Sequence, residues 1–454
     1  MRYNIPMISL PEEVTQFLSL FMKNNFQIYI VGGAVRDLLL VGKTNNWDFT
    51  TNATPEQILK LFPDGFYNNQ FGTVGIETAL GIFEVTTFRT EEKYTDLRHP
   101  EKVVWAKTLL EDLARRDFTI NALAFDGTKI IDVYNGQTDL QSKIIRAVGD
   151  PEQRFKEDAL RLMRAVRFAT TLGFTIEDKT KDAVIEHSSL ITNISSERMR
   201  DELLKIVASP HGAGGMLLLR ETRLLKYILP ELDSCFAVDQ KSPERHHIDD
   251  VGTHLVKSLK HSPSTDVITR LATLLHDIGK VKTYRKDPTT EIITFYNHEV
   301  VGTHQVKEIA DRLKLSKKQK DKLITLVRYH QFTVSELQTD RAVRRFIREV
   351  GKEYLQDMLD LRLADRLGSG AKPSSWRFDL FKKRLEEVQK EPFSVKDLKI
   401  DGNDVMKILT LQPGPRVGEI LSAIFNDVIE DRIKNVREDL LKVITDYPPA
   451  RLQE

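Results

Sequence analysis

The sequence predicts an α+β fold in which a small mixed sheet is followed by a largely helical remainder. Short β-branched and aromatic runs separated by glycine-containing turns occupy residues 1 to about 140, and such runs are typical of strands. From Leu160 onward, long segments have apolar residues at helical spacing, which indicates helices. We therefore expect the sheet to lie in the first third of the chain.

Four runs are candidate strands of this sheet. They are FQIYIV at 26–31, GTVGIETAL at 72–80, GIFEVTTF at 81–88 and KIIDVY at 129–134. Two later breaks, Gly149-Asp150-Pro151 and PELDSCFAVDQKSP at 230–243, carry the residues that interrupt regular structure. The region after the second break is rich in histidine and holds eight of the 11 histidines. The two breaks and this histidine-rich region predict four domains: 1–148, 149–235, 244–370 and 371–454.

Composition limits the possible classes of protein. The 454 residues include one cysteine, Cys235, so no internal disulfide can form and a cytoplasmic location is expected. No segment approaches the ~18 consecutive apolar residues of a membrane span, and we expect neither a signal peptide nor a membrane anchor. Because the net charge is only +1, a nucleic-acid partner would have to be held by a local basic face.

The first candidate site lies where a predicted strand runs into Gly32-Gly33 and then a helix carrying Arg36. Glycines let backbone N–H groups approach a triphosphate, and a helix N-terminus with an arginine favours the anion. Shortly after comes Asn46-Trp47-Asp48, where a strand would place Asn46 and Asp48 on one face. Two oxygen ligands on one face can bind Mg²⁺.

A row of charged residues follows at helical spacing: Asp158, Arg161, Arg164 and Arg167. On a helix these side chains lie along one flank. Such a row is often a solvated helix face. Because the row follows candidate triphosphate- and metal-binding motifs, we instead expect Asp158 and Arg161 to hydrogen-bond the Watson–Crick edge of cytosine or adenine. We expect Arg164 and Arg167 to contact phosphates.

These segments together resemble the head and neck of class II tRNA nucleotidyltransferases and bacterial poly(A) polymerases, which have a polymerase-β-like head. The resemblance includes the segments 84–89, 115–122 and 157–161, and Asp132, Gly136 and Arg146 match the hinge between head and neck. It implies Mg²⁺ as cofactor, CTP and ATP as substrates and the tRNA 3′ end as acceptor. The implied nucleotide-binding residues are Gly32, Gly33, Arg36, Arg116, Asp117, Asp158, Arg161, Arg164 and Arg167, with Asp117 at the ribose.

The chain departs from the family at the first metal position, where Asn46 stands in place of an aspartate. An amide oxygen can touch Mg²⁺ but supplies no charge. Three interpretations remain open: another carboxylate such as Glu84 assists Asp48, the enzyme is inactivated, or the protein binds RNA without extending it. We expect an active lineage, with Asp48 and Asn46 as catalytic metal ligands.

The nucleotides added are indicated by the polar stretch 90–100, which is similar to the flexible loop of CCA-adding members. CC-adding members shorten this loop, whereas A-adding members retain it. The expectation is CCA addition. CC or A addition and poly(A) synthesis remain alternatives.

A second candidate site is the sequence His276-Asp277-Ile278-Gly279-Lys280 at the end of an apolar run. Together with His254 and Asp365 it resembles the HD phosphohydrolase superfamily. The resemblance implies a divalent metal bound by His254, His276, Asp277 and Asp365, which His298 and His330 could extend to a second metal. The alternative function is therefore an HD-type phosphohydrolase with a transfer-inactive, RNA-docking head.

Basic residues in the third region have two open interpretations. Arg341, Arg344, Arg345 and Arg348 recur at helical spacing, and lysines cluster at 314–322. They could contact a tRNA backbone or form an ordinary solvated helix face.

Overall fold

The computed structural model describes residues 8–67, 72–94, 100–240, 249–332, 339–388, 395–430 and 432–446, with backbone only at 91–94 and 100–104. It divides into two compact units. The first contains the described residues within 1–236 and 309–315, and the second those within 237–308 and 316–454.

A seven-stranded sheet forms the centre of the N-terminal part, in the order β3-β4-β5-β2-β1-β8-β9. Its strands are β1 (Ile28–Val31), β2 (Trp47–Thr51), β3 (Phe66–Tyr67), β4 (Thr73–Thr78), β5 (Gly81–Thr87), β8 (Leu123–Phe125) and β9 (Ile130–Asp132). Only the β2–β5 pair is parallel among these neighbours, so the sheet is mixed.

Aromatic side chains hold the first helix on this sheet. The ring of Phe17 lies 4.9 Å from that of Phe49 and 5.1 Å from that of Phe83. All three are buried, and aromatic clusters of this kind contribute strongly to a core because each ring buries a large apolar area.

The helices of the first unit follow their sequence signals. Thr54 and Thr108 begin helices with capping boxes, Pro151 occupies the first turn of a third, and Gly173 (φ +67°) ends a fourth, as their backbone preferences predict. These helices are α1 (Glu12–Lys23), α2 (Gly33–Val41), α3 (Pro55–Leu61), α4 (Leu109–Ala114), α5 (Gly136–Ser142), α6 (Pro151–Glu157), α7 (Leu160–Leu172), α8 (Asp178–Glu186), α9 (Ser196–Ala208), α10 (Gly212–Glu221), α11 (Leu225–Ile228) and α12 (Pro230–Cys235).

The second unit is built almost entirely of helices. They are α13 (Val251–His261), α14 (Val267–Leu275), α15 (Lys280–Thr283), α16 (His298–Arg312), α17 (Lys317–Tyr329), α18 (Asp340–Val350), α19 (Leu355–Gly368), α20 (Trp376–Val388), α21 (Gly402–Leu409), α22 (Pro415–Ile429) and α23 (Arg437–Thr445). The last residues of α16 fall in the first unit. None of the helices in the described ranges combines the length and apolar character that a membrane span needs.

The predicted fold class is confirmed: a mixed sheet precedes a mostly helical remainder. Three short strand pairs were not foreseen. They are β6 (Arg89–Tyr94) with β7 (Pro100–Trp105), β10 (Ile144–Ile145) with β11 (Thr175–Ile176), and β12 (Arg285–Lys286) with β13 (Ile293–Thr294). The stretch 90–100, expected to be a flexible loop, thus overlaps β6 and the first residue of β7, and residues 95–99 lie outside the described residues.

Candidate active site

A polar cavity of about 540 Å³ lies in the first unit, and we call it the head cavity. Its lining contains seven arginines and three aspartates, which suits a polyanion together with a metal ion. It includes every residue predicted for the nucleotidyl-transfer site. The lining residues are Gly32, Gly33, Arg36, Asn46, Asp48, Arg89, Arg115, Arg116, Asp117, Asn121, Asp158, Arg161, Arg164, Arg167 and Phe168.

The turn from β1 into α2 forms one wall of this cavity. Gly32 has a φ of +66°, and a Cβ atom there would lie 2.8 Å from Arg116 Nη1. A side chain at this position would therefore both strain the backbone and displace the guanidinium. Gly33 begins α2, and Arg36 donates from Nη1 to Asn121 Oδ1 at 2.7 Å. The glycine turn and the Arg36 guanidinium therefore line the cavity side by side.

The two predicted metal positions lie together in the cavity. Asn46 immediately precedes β2, and its Nδ2 is 3.4 Å from Asp48 Oδ1. Rotation of the amide would place its oxygen there instead. Glu84 on β5 is the register partner of Asp48, so both side chains project to one face of the sheet. Asn46, Asp48 and Glu84 can thus offer oxygen ligands to one cation.

The electrostatics around Asp48 favour a bound cation. Burial raises the pKa of Asp48 to about 6, the charge of Glu84 acts in the same direction, and Arg116 and Arg36 oppose it. A divalent cation would relieve the repulsion between the two carboxylates. The donor set therefore fits Mg²⁺, which prefers oxygen ligands.

Asp112 holds the two neighbouring arginines of the cavity in place. Its fully buried carboxylate accepts hydrogen bonds from Arg115 Nη2 at 2.7 Å, Arg116 Nη2 at 3.2 Å and the Thr50 hydroxyl at 3.3 Å. Burial raises the pKa of Asp112, but the two guanidinium charges outweigh this effect and the net pKa is lowered. Asp112 is therefore an anionic anchor for Arg115 and Arg116.

Asp117 is the centre of a polar chain that crosses the cavity. It accepts hydrogen bonds from Arg164 Nε at 2.8 Å and from Asn121 Nδ2 at 3.1 Å, and Asn121 in turn accepts from Arg36. Burial raises the pKa of Asp117, but the charge and hydrogen bonds of Arg164, with the bond from Asn121, lower it to about 2. Asp117 is therefore a permanent anion near neutral pH.

Asp158, Arg161, Arg164 and Arg167 form the predicted base-selecting row, and each of them has a partner of its own. Arg161 donates to Glu157 Oε2 at 2.8 Å and to the backbone oxygens of Arg115 and Arg154. The other two arginines pair with carboxylates, Arg164 with Asp117 and Arg167 with Glu202.

Asp158 is held by a residue outside the row. Arg198 on α9 donates to Asp158 from Nη2 at 2.9 Å and from Nη1 at 3.4 Å.

The second unit contains a separate cluster of four histidines and two aspartates. The ligand atoms of His254, His276 and Asp365 lie within 4.8 Å of one another, and so do those of Asp277, His298 and His330. Asp277 joins the two groups, because its Oδ2 is 3.5 Å from His254 Nε2 and its Oδ1 is 3.0 Å from His298 Nε2. The four predicted ligands are thus brought together with His298 and His330.

The histidines of the cluster are oriented for metal binding. Nδ1 of His276, His298 and His330 lies 2.8, 2.8 and 2.7 Å from a backbone carbonyl oxygen. Because a carbonyl only accepts, Nδ1 must carry the proton and Nε2 faces the cluster with its lone pair when the ring is neutral. The donor set fits one or two divalent metal ions of the kind that imidazole and carboxylate bind together.

A buried lysine completes the charge balance of the cluster. Lys280 Nζ lies 2.6 Å from Asp277 Oδ2 and 2.7 Å from Gln240 Oε1. Burial raises the pKa of Asp277, but Lys280 and the neighbouring histidines hold it well below the usual range. Burial lowers the pKa of His276, and the charge of Asp277 outweighs this and raises it to about 10.

The arginines of α18 are engaged within the second unit. Arg341 and Arg345 pair with Glu430, and Arg348 donates to Asn426 Oδ1 at 2.8 Å. These contacts tie α18 to the region of α22.

Three known protein domains match parts of this chain. Residues 28–146 match the poly A polymerase head domain, 173–236 match the probable RNA and SrmB-binding site of polymerase A, and 288–444 match the putative tRNA nucleotidyltransferase domain 2. A polymerase-type nucleotidyltransferase head followed by a helical RNA-binding body is the class that this fold and cavity define.

Sequence comparison with individual proteins narrows the family to which the chain belongs. It is 32% identical over 438 residues to the CCA-adding enzyme of Lactococcus lactis subsp. cremoris (strain MG1363), covering 94% of each chain. It is 34% identical to the A-adding tRNA nucleotidyltransferase of Deinococcus radiodurans, covering 87% of this chain and 90% of that one. With the CCA-adding enzyme of Geobacillus sp. (strain WCH70) identity is 45%, and that match spans 45% of this chain and about half, 52%, of the relative.

The fold has a solved counterpart. The crystal structure of the Bacillus stearothermophilus CCA-adding enzyme in complex with CTP superimposes with a TM-score of 0.71 at 26% identity, covering 98% of this chain and 100% of that chain. The chain belongs to the tRNA nucleotidyltransferase family that includes the CCA-adding enzymes. The predicted family and the predicted nucleotidyltransferase class are confirmed, and members of this family use a divalent metal, typically Mg²⁺.

Several residues of the head cavity or its support carried no recognisable signal in the sequence. Asp112 lies just before the matched segment 115–122, and Arg198 and Glu202 lie on a different helix from the row they contact. Asn121 lies inside the matched segment 115–122 and Phe168 directly follows Arg167, but neither was predicted as a site residue. Arg167 stacks over Phe168, with its Cζ 3.6 Å from the ring centre.

Proposed function

We propose that this chain is a CCA-adding enzyme that transfers CMP and AMP from CTP and ATP to the tRNA 3′ end and releases pyrophosphate. The observation that carries the proposal is the head cavity, which brings the metal positions, the arginines and the Asp158–Arg161 pair into one space. The CCA-adding relatives and the CTP-bound structural neighbour support the same conclusion. The tRNA acceptor would place the reaction in the cytoplasm.

The residues of the cavity divide into three proposed tasks. Arg36 and Arg116, with the N-terminal end of α2 at Gly33, hold the triphosphate, because guanidinium groups and the backbone N–H groups of a helix N-terminus bind phosphate oxygens. Asp117 holds the ribose. Asp158 and Arg161 read the edge of the base, and the later arginines of α7 contact phosphates.

Mg²⁺ would be held by Asp48 with Asn46, and by Glu84 beside them. When bound, this ion supplies positive charge that orients the 3′-hydroxyl and neutralises charge at the α-phosphate. The protein itself fixes both substrates in place. Its charged side chains, already oriented in the cavity, replace the water that would otherwise surround the reacting phosphates. Pyrophosphate leaves from the arginine-lined part of the cavity.

The length of segment 90–100 favours full CCA addition over addition of CC alone, and the CCA-adding relatives and the CTP-bound structural neighbour support CCA addition over addition of A alone. The A-adding relative shows that the family contains both activities. The test is incorporation of CTP and ATP onto three transcripts of one tRNA, ending before CCA, after C and after CC. A CCA-adding enzyme extends all three. Extension of the CC-ending transcript alone would identify an A-adding enzyme, and a long homopolymer would identify a poly(A) polymerase.

A second candidate function is metal-dependent phosphohydrolysis by the histidine–aspartate cluster. It is favoured by the shared position of Asp277 between two three-ligand groups, since two bound metals a short distance apart are a recurrent arrangement for hydrolysing phosphate esters. Lys280 is placed to offset charge beside Asp277. The cluster lies in the second unit, so this activity would be separable from nucleotide transfer.

The experiment for this second function uses the full chain loaded with Mn²⁺, Ni²⁺ or Zn²⁺. Release of p-nitrophenol from p-nitrophenyl phosphate and from bis(p-nitrophenyl) phosphate is measured for the parent chain, for Asp277→Ala and for Asp48→Asn. The proposal predicts that Asp277→Ala alone loses the hydrolytic activity, whereas Asp48→Asn alone loses nucleotide transfer. Hydrolysis that survives Asp277→Ala would contradict it.

A further inference from the structure

Asp158 is held in its orientation by a side chain from another helix. Arg198, in the first turn of α9, makes a two-pronged ion pair with it, with Nη2 to Oδ2 at 2.9 Å and Nη1 to Oδ1 at 3.4 Å. The Leu160 N–H donates to the same Oδ1 at 3.0 Å. Three donors therefore fix the plane of this carboxylate, which follows the last residue of α6.

Arg198 acts on the base-selecting row from outside the cavity lining. The head cavity is lined by Asp158 and Arg167, whereas neither Arg198 nor Glu202 is among its described lining residues. Glu202 stands one turn after Arg198 on α9 and pairs with Arg167. Side chains four residues apart share a helix face, so one face of α9 holds both ends of the base-selecting row.

We propose that Arg198 is the positioning residue that lets Asp158 discriminate amino-bearing bases from keto-bearing bases. This inference rests on the proposed function. A carboxylate can only accept hydrogen bonds. Cytosine and adenine present an exocyclic amino group at the edge that Asp158 would meet, whereas uracil and guanine present a carbonyl oxygen that the carboxylate repels. The direction of its free lone pairs therefore sets the choice.

The consequence of losing Arg198 follows from the same geometry. Without the guanidinium, the Asp158 carboxylate is free to rotate about its Cβ–Cγ bond, and it keeps only the Leu160 N–H as a fixed donor. A binding site that hydrogen-bonds one group of its substrate rejects an analogue without that group. This rejection is strongest when the polar atoms of the protein are held in place. Discrimination should fall while the triphosphate contacts remain.

The test measures base preference in the full chain. The ratio of kcat/KM for CTP over UTP is determined on a tRNA that lacks CCA, and the ratio of equilibrium dissociation constants for the same two nucleotides is measured by calorimetry. For Arg198→Met we expect the CTP preference to fall about tenfold or more in both ratios. Arg198→Lys, which keeps the charge but not the two-pronged geometry, should restore part of it.

Two matched variants separate positioning from general damage. Arg200→Met removes an arginine of the same helix that pairs with Asp201 and the Lys314 carbonyl, and it should leave the ratio unchanged. Glu202→Gln loosens the Arg167 contact and should weaken CTP and UTP equally.

The outcomes decide the inference. It is overturned if Arg198→Met retains the parent's CTP preference. If Arg198→Met fails to fold, Arg198→Lys decides, and a ratio equal to the parent's overturns the inference. A parent chain that adds no CTP or ATP at all, or that binds CTP and UTP equally, refutes the proposed base-selecting site itself. That result is distinct from an unchanged ratio in the variants.

Discussion

Asp48 and Glu84 are direct partners in the parallel register between β2 and β5, so two carboxylates share one face of the sheet at the edge of the head cavity. Such a pair is unfavourable in the absence of a cation, and burial together with Glu84 raises the pKa of Asp48 to about 6. The pair therefore favours binding of a metal ion. Glu84 supplies a second carboxylate in a chain that has Asn46 where the family resemblance implies an aspartate.

The first prediction concerns the pH dependence of metal binding by the head. A protonated Asp48 cannot serve as a ligand, so affinity should be high above the raised pKa and should fall as pH decreases through about 6. We expect this in Mn²⁺ titrations followed by electron paramagnetic resonance between pH 5 and 8. The Asp277→Ala background removes the second cluster from the signal. An affinity independent of pH across this range would refute the assignment of Asp48.

The second prediction concerns Asn46. Replacing Asn46 with aspartate adds a charged ligand to the site, and we expect a lower Mg²⁺ requirement and about tenfold faster CCA addition, equivalent to about 1.4 kcal/mol of barrier. Asn45→Asp is the matched control, because it adds the same charge at the neighbouring exposed residue outside the cavity lining. Equal activation by both variants would mean that local charge, rather than metal ligation, is responsible.

The sequence predicted the residues that line the head cavity better than it predicted the residues that hold them in place. Gly32, Arg36, Asp48 and Asp117 lie in local motifs, where a strand–turn–helix or an alternating strand fixes which side chains share a face. Arg198 reaches Asp158 from 40 residues away, through the packing of two helices. No periodicity within one element encodes such a contact.

The same distinction applies to the histidine–aspartate cluster and to the short strands. The order of His254, His276, Asp277 and Asp365 predicted a metal site, but only the fold shows Asp277 facing two groups of ligands. Two-residue strands such as β10 and β11 are too short to produce an alternating pattern. They arise because the chain around them brings their backbones together.

The third prediction tests Asp112 as the anchor of Arg115 and Arg116. Asp112→Ala leaves two guanidinium groups without their buried partner, and breaking such a pair costs about 3 kcal/mol of unfolding free energy. The KM for CTP should also rise because Arg116 is released. Chemical denaturation and steady-state kinetics measure both effects. Glu111→Ala, which removes the N3 carboxylate of the capping box at the neighbouring exposed position, should lower stability less than Asp112→Ala and leave KM unchanged.

The fourth prediction tests the close packing behind the metal cluster. A Cβ atom on Gly279 would lie 2.0 Å from the carbonyl oxygen of His298 and 2.6 Å from the Gly302 nitrogen. Gly279→Ala should therefore displace the His298 ligand, and we expect the bound metal content of the second unit, measured by mass spectrometry, to fall at least tenfold. Gly418→Ala on α22 has open space at its Cβ and should leave the metal content unchanged. CTP addition should be retained in both variants.

The fifth prediction concerns proton release from the same cluster. The metal-free protein holds His276 with a pKa of about 10, above its ordinary value of 6.5. This raised pKa stabilises the metal-free fold fully below about pH 6.5, and the stabilisation is lost as pH rises through 10.

Metal binding needs the neutral ring, so at pH 7.5 it should release on the order of one proton per chain from His276. Asp277 and Asp365 are held well below the usual carboxyl pKa and should release none. Calorimetric titration of Mn²⁺ in buffers of different ionisation enthalpy measures this number. His276→Gln should reduce it to near zero, and a parent chain that releases no proton would contradict the charged state assigned to His276.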